Sequence, residues 1–408
     1  MPEAMRPGAA GRTAGAWCAR LLLLAAAAVP AHAADTANRQ DQPGRSADKW
    51  AASACLGGAV DDRLAKCVSA ARAGDRNAPF KLMQAYHLGW YGANKDPVEA
   101  ARWSKVAADQ GSGIAQAFLG RSYLCGAGVQ HNEAQAKHWF ERASELGRQS
   151  GLSWMGYLSE TGRGTATDYA AAVKWYSRGA GMGQEESLFG LGLLYLEGRG
   201  VKADRDKAMA LLRAAEEQLL FSSRMSTGLM KEMGTIAIAY NQPAPETQAR
   251  LIGEMRDQAA REQPQAQVDL GLTYFDGTGV KKDQVQAAQW FERAAHHGDS
   301  MGQFYLAQSY LRGWGVAKDP SKAAELFQQA ASSGSVPGSF AAGYMLVQNP
   351  SASPDADRGL QLVTKAASAG DKDAQSMLAV WYAQGAHVPQ DTSLAKQWWA
   401  RRMSCDHF

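Results

Sequence analysis

Two serines in this chain are followed three residues later by a lysine, Ser46 by Lys49 and Ser393 by Lys396. Ser-x-x-Lys can place a hydroxyl nucleophile beside an amine base, but acyl-transfer sites of that kind also need Ser-Asp-Asn and Lys-Thr-Gly. Neither companion occurs in the sequence. Ser46 stands in a polar leader and Ser393 in the opening turn of a predicted helix. The eight histidines include no His-Glu-x-x-His, and there is no Cys-x-x-Cys, so zinc-binding spacings are missing. His296 and His297 fall at the end of a predicted helix, where imidazoles favour the unpaired carbonyls. Paired glycines such as Gly198 and Gly200 follow a helical pattern and lack a Gly-Lys-Ser/Thr ending, so they read as turns, not as phosphate cradles. The expectation is a non-enzyme with no catalytic residue, cofactor or metal.

Localisation is read from the start of the chain. Arg6, Arg12 and Arg20 precede an apolar run from Leu21 to Val29, and Ala31-His32-Ala33 offers small residues where a signal peptidase cuts. Residues 1–33 are therefore expected to be a cleaved signal peptide, and the protein periplasmic or secreted. No run reaches the roughly 18 apolar residues of a membrane-spanning helix. Without Arg6, Arg12, Arg20 and Glu3, the chain's 43 basic and 40 acidic residues become 40 and 39. That balance points to no nucleic-acid or anionic-membrane partner. Cys55, Cys67, Cys125 and Cys405 remain after cleavage, in a compartment where disulfides persist.

The elements that position everything else come from a period. Trp103, Trp139, Trp175 and Leu211 are spaced by 36, as are Trp290, Leu326, Leu362 and Trp398. Eight units follow, beginning near residues 78, 114, 150, 186, 265, 301, 337 and 373. Each predicts two helices, A and B. On helix A, Leu119, Gly120 and Tyr123 share one face at 100° per residue, and Leu191-Gly192-Tyr195, Leu270-Gly271-Tyr274 and Leu306-Ala307-Tyr310 repeat the pattern. Glycine pairs end helix A. Asp96, Asn132, Asp168, Asp204, Asp283, Asp319, Asp355 and Asp391 then sit where a side chain caps helix B. Small residues from Ala100 to Ala395 fill the helix B column that meets helix A.

This pattern resembles the Sel-1-like repeat family, a relative of the tetratricopeptide repeat. The matching residues are Leu191-Gly192 through Tyr195, Gly198-Arg199-Gly200-Val201, and Lys318-Asp319-Pro320 leading into Ala323. The resemblance covers roughly residues 78–402 and implies an all-α, right-handed superhelical solenoid of antiparallel helix pairs. Departures fall at Trp90, at Asn349 to Ser353, and above all at 219–263. Leu211 and Trp290 are 79 residues apart, two periods plus seven, so 219–263 reads as a degenerate repeat with helices around Arg224–Tyr240 and Glu246–Glu262. It is either an eroded repeat that still stacks or a bend that sets curvature. The expected organisation is signal peptide 1–33, flexible leader 34–47, helical cap 48–77, repeats one to four over 78–218, the degenerate repeat, and repeats six to nine over 264–408. The cap is expected to hold a Cys55–Cys67 disulfide that Cys125 does not join.

The resemblance implies protein partners and no cofactor. Periplasmic relatives assemble envelope complexes or tune receptors, and some act as immunity proteins against delivered phospholipases. Some cysteine-rich relatives bind or hydrolyse β-lactams, but they carry cysteine pairs in successive repeats, and Cys125 stands alone in its unit. Rotation by 100° per residue puts the positions of 117, 121 and 125 opposite the core of helix A, the side that lines the concave surface in this family. Those columns hold Arg121, Tyr157, Phe189, Glu197, Asp276, Phe304, Gln308, Arg312, Phe340 and Tyr344. Aromatics and arginine are the usual interface anchors. For Phe189, Phe304 and Phe340, packing on the next repeat is an equal alternative. The expected state is a monomer that binds another protein along this stripe.

Overall fold

The structure, a computed structural model, describes residues 60–89, 93–147, 149–225, 245–348 and 353–405. The expected signal peptide, the leader, Cys55, Trp90, the first helix of the degenerate repeat beyond Met225 and the segment 349–352 lie outside the described residues. Among those described there are 18 helices and no strand, and none of the helices is long and apolar enough to cross a membrane.

The helices run in antiparallel pairs. A lone α1 (Val60–Arg72) precedes α2 (Ala78–Leu88) with α3 (Pro97–Asp109), α4 (Gly113–Cys125) with α5 (Glu133–Glu145), and α6 (Gln149–Thr161) with α7 (Tyr169–Ala180). Then come α8 (Glu185–Glu197) with α9 (Arg205–Met225), and α10 (Pro245–Ala260), which falls where the second degenerate helix is expected. The second series is α11 (Pro264–Asp276) with α12 (Gln284–His296), α13 (Ser300–Arg312) with α14 (Pro320–Ser332), α15 (Val336–Val347) with α16 (Ser353–Ser368), and α17 (Lys372–Gln384) with α18 (Thr392–Arg402). Each helix packs mainly on its sequence neighbours, as in a solenoid.

Local chemistry explains the repeat. Helix A stops where Gly126, Gly198, Gly277, Gly313 or Gly385 takes a positive φ and returns its N–H to a carbonyl four residues back. The chain then folds back until the N–H of the next cap donates to a helix A carbonyl: Asn132 to Tyr123 at 2.9 Å, Asp283 to Tyr274 at 2.8 Å, Asp319 to Tyr310 at 3.0 Å and Asp391 to Tyr382 at 2.8 Å. The cap side chain accepts from the first turn of helix B, as Asp319 does from Lys322 N at 3.0 Å. One residue of the set behaves differently. Asp355 lies inside the first turn of α16, which begins two residues earlier at Ser353, so it is not the cap.

The second glycine of a pair joins one repeat to the one before. A Cβ on Gly315 would stand 1.9 Å from the carbonyl oxygen of Gln284, in the preceding helix B. Side chains at that position are excluded by backbone, not only by φ. The small column of helix B is buried throughout, from Ala100 to Ala395. Gly359 belongs to it because α15 brings Gly343 so close that a Cβ there would lie 2.6 Å from the Gly359 carbonyl oxygen. Buried glutamines add a tie that the periodicity contains but does not advertise: Gln116, Gln267 and Gln375 donate to the carbonyls of Ala108, Ala259 and Ala367 at the end of the preceding helix B.

Candidate functional site

Helices α4, α6 and α8 are the A helices of three successive repeats. Their columns opposite the core carry Arg121, Cys125, Tyr157, Phe189 and Glu197. The last repeat, α17 with α18, lies on this face. Leu124, Trp154, Leu158, Phe189 and Leu193 share one apolar cluster with Ala379, Val380, Ala383, Ala395, Trp399 and Met403. Phe189 is fully buried, with its ring centroid 4.3 Å from that of Trp399. A disulfide joins Cys125, the last residue of α4, to Cys405, just past α18, across 280 positions of sequence. Cys67 is also disulfide-bonded.

Charges ring the apolar centre. Lys396 Nζ donates to Glu197 at 2.7 Å, and Arg402 donates to Glu186 Oε1 and to Ser376 Oγ, each at 3.2 Å. Trp381 Nε1 donates to Glu216 on α9 at 3.3 Å. Burial pushes the Glu185 carboxyl up to about 8, helped by the charge of Glu186 and opposed by Arg402. Burial likewise lifts Asp371 to about 6 and raises Asp373 and Glu160. The Arg121 guanidinium, 5.9 Å from the Trp154 ring centroid, is pushed down to about 10 by burial and then by Arg402. Several ionisable groups have thus been taken out of water where the last repeat meets repeats two to four.

The other predicted stripe residues divide. Phe340 and Tyr344 lie 6.5 Å apart by ring centroid, and Tyr344 stacks at 6.3 Å on Trp381 of the last repeat. Phe304 is buried between Tyr305 and Phe327, 5.4 and 5.7 Å away, within its own hairpin. Arg312 lies over the Trp314 ring at 4.6 Å, Gln308 is half-buried and Asp276 is exposed. Lys396, the amine of one Ser-x-x-Lys pair, donates to the Glu197 carboxylate. Sequence reasoning passed over Lys396, Trp399, Arg402, Glu185 and Glu186 as parts of this face. Cysteine counting held the one usable hint, because pairing Cys55 with Cys67 leaves Cys125 and Cys405 to each other.

The repeated unit itself is a known one. Sel1 repeats match residues 84–112, 113–147, 150–184, 185–218, 264–299, 300–335, 340–371 and 372–401. Among solved structures the chain is similar to c5321, a protective antigen present in uropathogenic Escherichia coli strains displaying an SLR fold. The identity is 27% over 84% of this chain and 72% of that one, with a TM-score of 0.38. A Sel1 repeat protein from Oxalobacter formigenes is 22% identical over 86% of this chain and 89% of its own, with a TM-score of 0.32. No curated protein matches. With repeats found over most of its length, in the pairs of helices described above, the chain belongs to the Sel1 repeat family, whose members generally serve as scaffolds for protein–protein interaction.

Proposed function

We propose that this protein is exported to the periplasm or beyond, where it binds other proteins through its helix A face as a scaffold or regulator of an envelope complex, without catalysing a reaction. One observation carries the reading: the face of repeats two to four already holds a protein element, the chain's own last repeat, through an aromatic anchor and flanking ion pairs. Such a surface has the chemistry of an interface, with an apolar centre and a polar rim. The basic and apolar leader supports export, and a disulfide between half-buried cysteines suits an oxidising compartment.

Two measurements test this. Produced from its own first residue, the protein is expected in the periplasm or medium, beginning at Ala34. Retention in the cytosol with residues 1–33 attached would refute export. A partner co-purified from that compartment should be recovered at least tenfold less with Gln308→Ala and Arg312→Ala combined, since Arg anchors contribute about 2 kcal/mol or more. Unchanged recovery with an unchanged melting temperature would move the partner to another surface.

A further inference from the structure

The last repeat is not held like the others. Neighbouring repeats meet mainly through buried apolar side chains and glutamine-to-carbonyl bonds, whereas α18 meets α8 through a pattern of alternating chemistry. Lys396, Trp399 and Arg402 are spaced i, i+3, i+6, so they share one face of the helix. Opposite them stand Glu197, Phe189 and Glu186, with the basic residues 2.7 and 3.2 Å from their carboxylates and the two rings 4.3 Å apart. The face that receives them is acidic at its rim and aromatic at its centre. Its occupant is a short helix tied to the face by the Cys125–Cys405 bond, while α17 of the same repeat rests on α9 through the buried Trp381. Both cysteines are half-buried.

We propose that the helix A face of repeats two to four is a binding site for a protein helix carrying an aromatic residue flanked one turn either side by basic residues. The chain fills this site with its own α18, and the Cys125–Cys405 disulfide decides whether the site is available. The proposal deepens the interaction reading above and rests on it, by naming the kind of partner and its gate. Opening requires a dithiol reductant. One thiolate of the reductant attacks the Cys405 sulfur, and the bond to Cys125 breaks. Cys125 leaves as a thiolate that takes a proton from water. The second thiol of the reductant resolves the mixed disulfide, so Cys405 is released as a thiol and the reductant ends as a disulfide. Two electrons pass from reductant to protein. The last repeat, freed of its fastening, then competes with an incoming helix for Phe189 and the two glutamates.

The test uses the full mature chain and a fluorescein-labelled peptide of residues 390–404, which stops short of Cys405. Fluorescence anisotropy of the peptide is read against oxidised protein, protein reduced with dithiothreitol, and reduced protein with Trp399→Ala. The expected order of affinity rises along that series by at least tenfold at each step, because each removes a hold of the internal competitor. Phe189→Ala should abolish binding. Since a buried phenylalanine can be needed for folding, Glu197→Gln supplies a second arm. In reduced protein that also carries Trp399→Ala, where the internal helix no longer fills the site, it should weaken the natural peptide about tenfold and leave a peptide with Lys396→Ala unchanged. Equal peptide binding before and after reduction, with no gain from Trp399→Ala, would overturn the proposal and make the last repeat a permanent cap. A reduced chain that dimerises and ignores the peptide would also overturn it, by showing a second copy in the site. Neither result touches export or the Gln308 and Arg312 measurement, so the two readings fail separately.

Discussion

The contact between α12 and α13 and the contact between α8 and α18 both rest on a pair of aromatic rings, Phe291 on Tyr305 at 5.2 Å and Phe189 on Trp399 at 4.3 Å. They are different kinds of interface. The first joins helices adjacent in sequence and is completed by Ala287, Ala294 and Ala307, all fully buried. The second joins residues about two hundred positions apart and is completed by Glu186, Glu197, Lys396 and Arg402. Burying charges carries a desolvation penalty that their mutual attraction only partly offsets, so a charged seam contributes less per unit area than an alanine-lined one. The comparison separates two jobs. Neighbour contacts hold the solenoid mainly through apolar packing, whereas the seam of the last repeat is expected to answer to redox state and pH.

The largest expected effect falls on the neighbour contact. Phe291→Ala leaves a cavity in a fully packed site and should cost about 4 kcal/mol. Because stability in a repeat array is a sum over repeats and their interfaces, the loss should show as early unfolding of α11 to α14 in hydrogen exchange, with the α1 to α6 end unchanged. A uniform loss across the chain would show that the two ends fold as one unit and would erase the distinction drawn above.

Next in size is Cys405→Ser, expected to cost about 3 kcal/mol. Its mark should be the reverse: faster exchange in α17 and α18, with α11 to α14 unaffected. Asp319→Ala should cost about 1 kcal/mol because the Lys322 N–H loses its acceptor. Asp355→Ala should cost about 0.3 kcal/mol, only the interaction of a first-turn carboxylate with the helix dipole. Thermal melts of the pair measure that difference, and equal shifts would restore Asp355 as a cap.

A last effect, different in kind, is on pH. Glu185 faces Glu186 on its own helix, Ser376 and Asp373 on α17, and Arg402 on α18, and its folded pKa is raised to about 8. A raised carboxylate favours the folded state while protonated. Its contribution is therefore complete below the ordinary carboxylate range and lost as pH rises toward 8. Asp371, raised to about 6, has the same sign. At constant ionic strength, protection factors in α17 and α18 of reduced protein, corrected for the base catalysis of intrinsic amide exchange, should be lower at pH 8 than at pH 5.5, and Glu185→Gln should flatten that slope. An opposite slope would mean that the ion pairs of Lys396 and Arg402 dominate the seam.

Much of this was legible from residue spacing. Tyr310, Gly313, Asp319 and Ala323 recur at one interval, and each acts within its own hairpin or on the next, so the constraint repeats as often as the contact does. Helix pairing and the capping aspartates other than Asp355 follow from that. Asp355 was misread because the loop before it has lost its glycines, and position in the period alone did not show where α16 begins. The columns that hold the ten stripe residues could be read from the period, but not what each side chain meets. Phe304 turned to its own hairpin while Phe189 met Trp399, although both occupy the same column.

Periodicity is a record of near neighbours, and it specifies the helices, their order and the contacts between adjacent repeats. The meeting of Cys125 with Cys405, and of Glu197 with Lys396, happens once and leaves no repeating trace. It depends on how distant repeats come to lie against each other, which the period does not record. That placement exists only in the folded chain, where it brings the last repeat onto the face of the second, third and fourth.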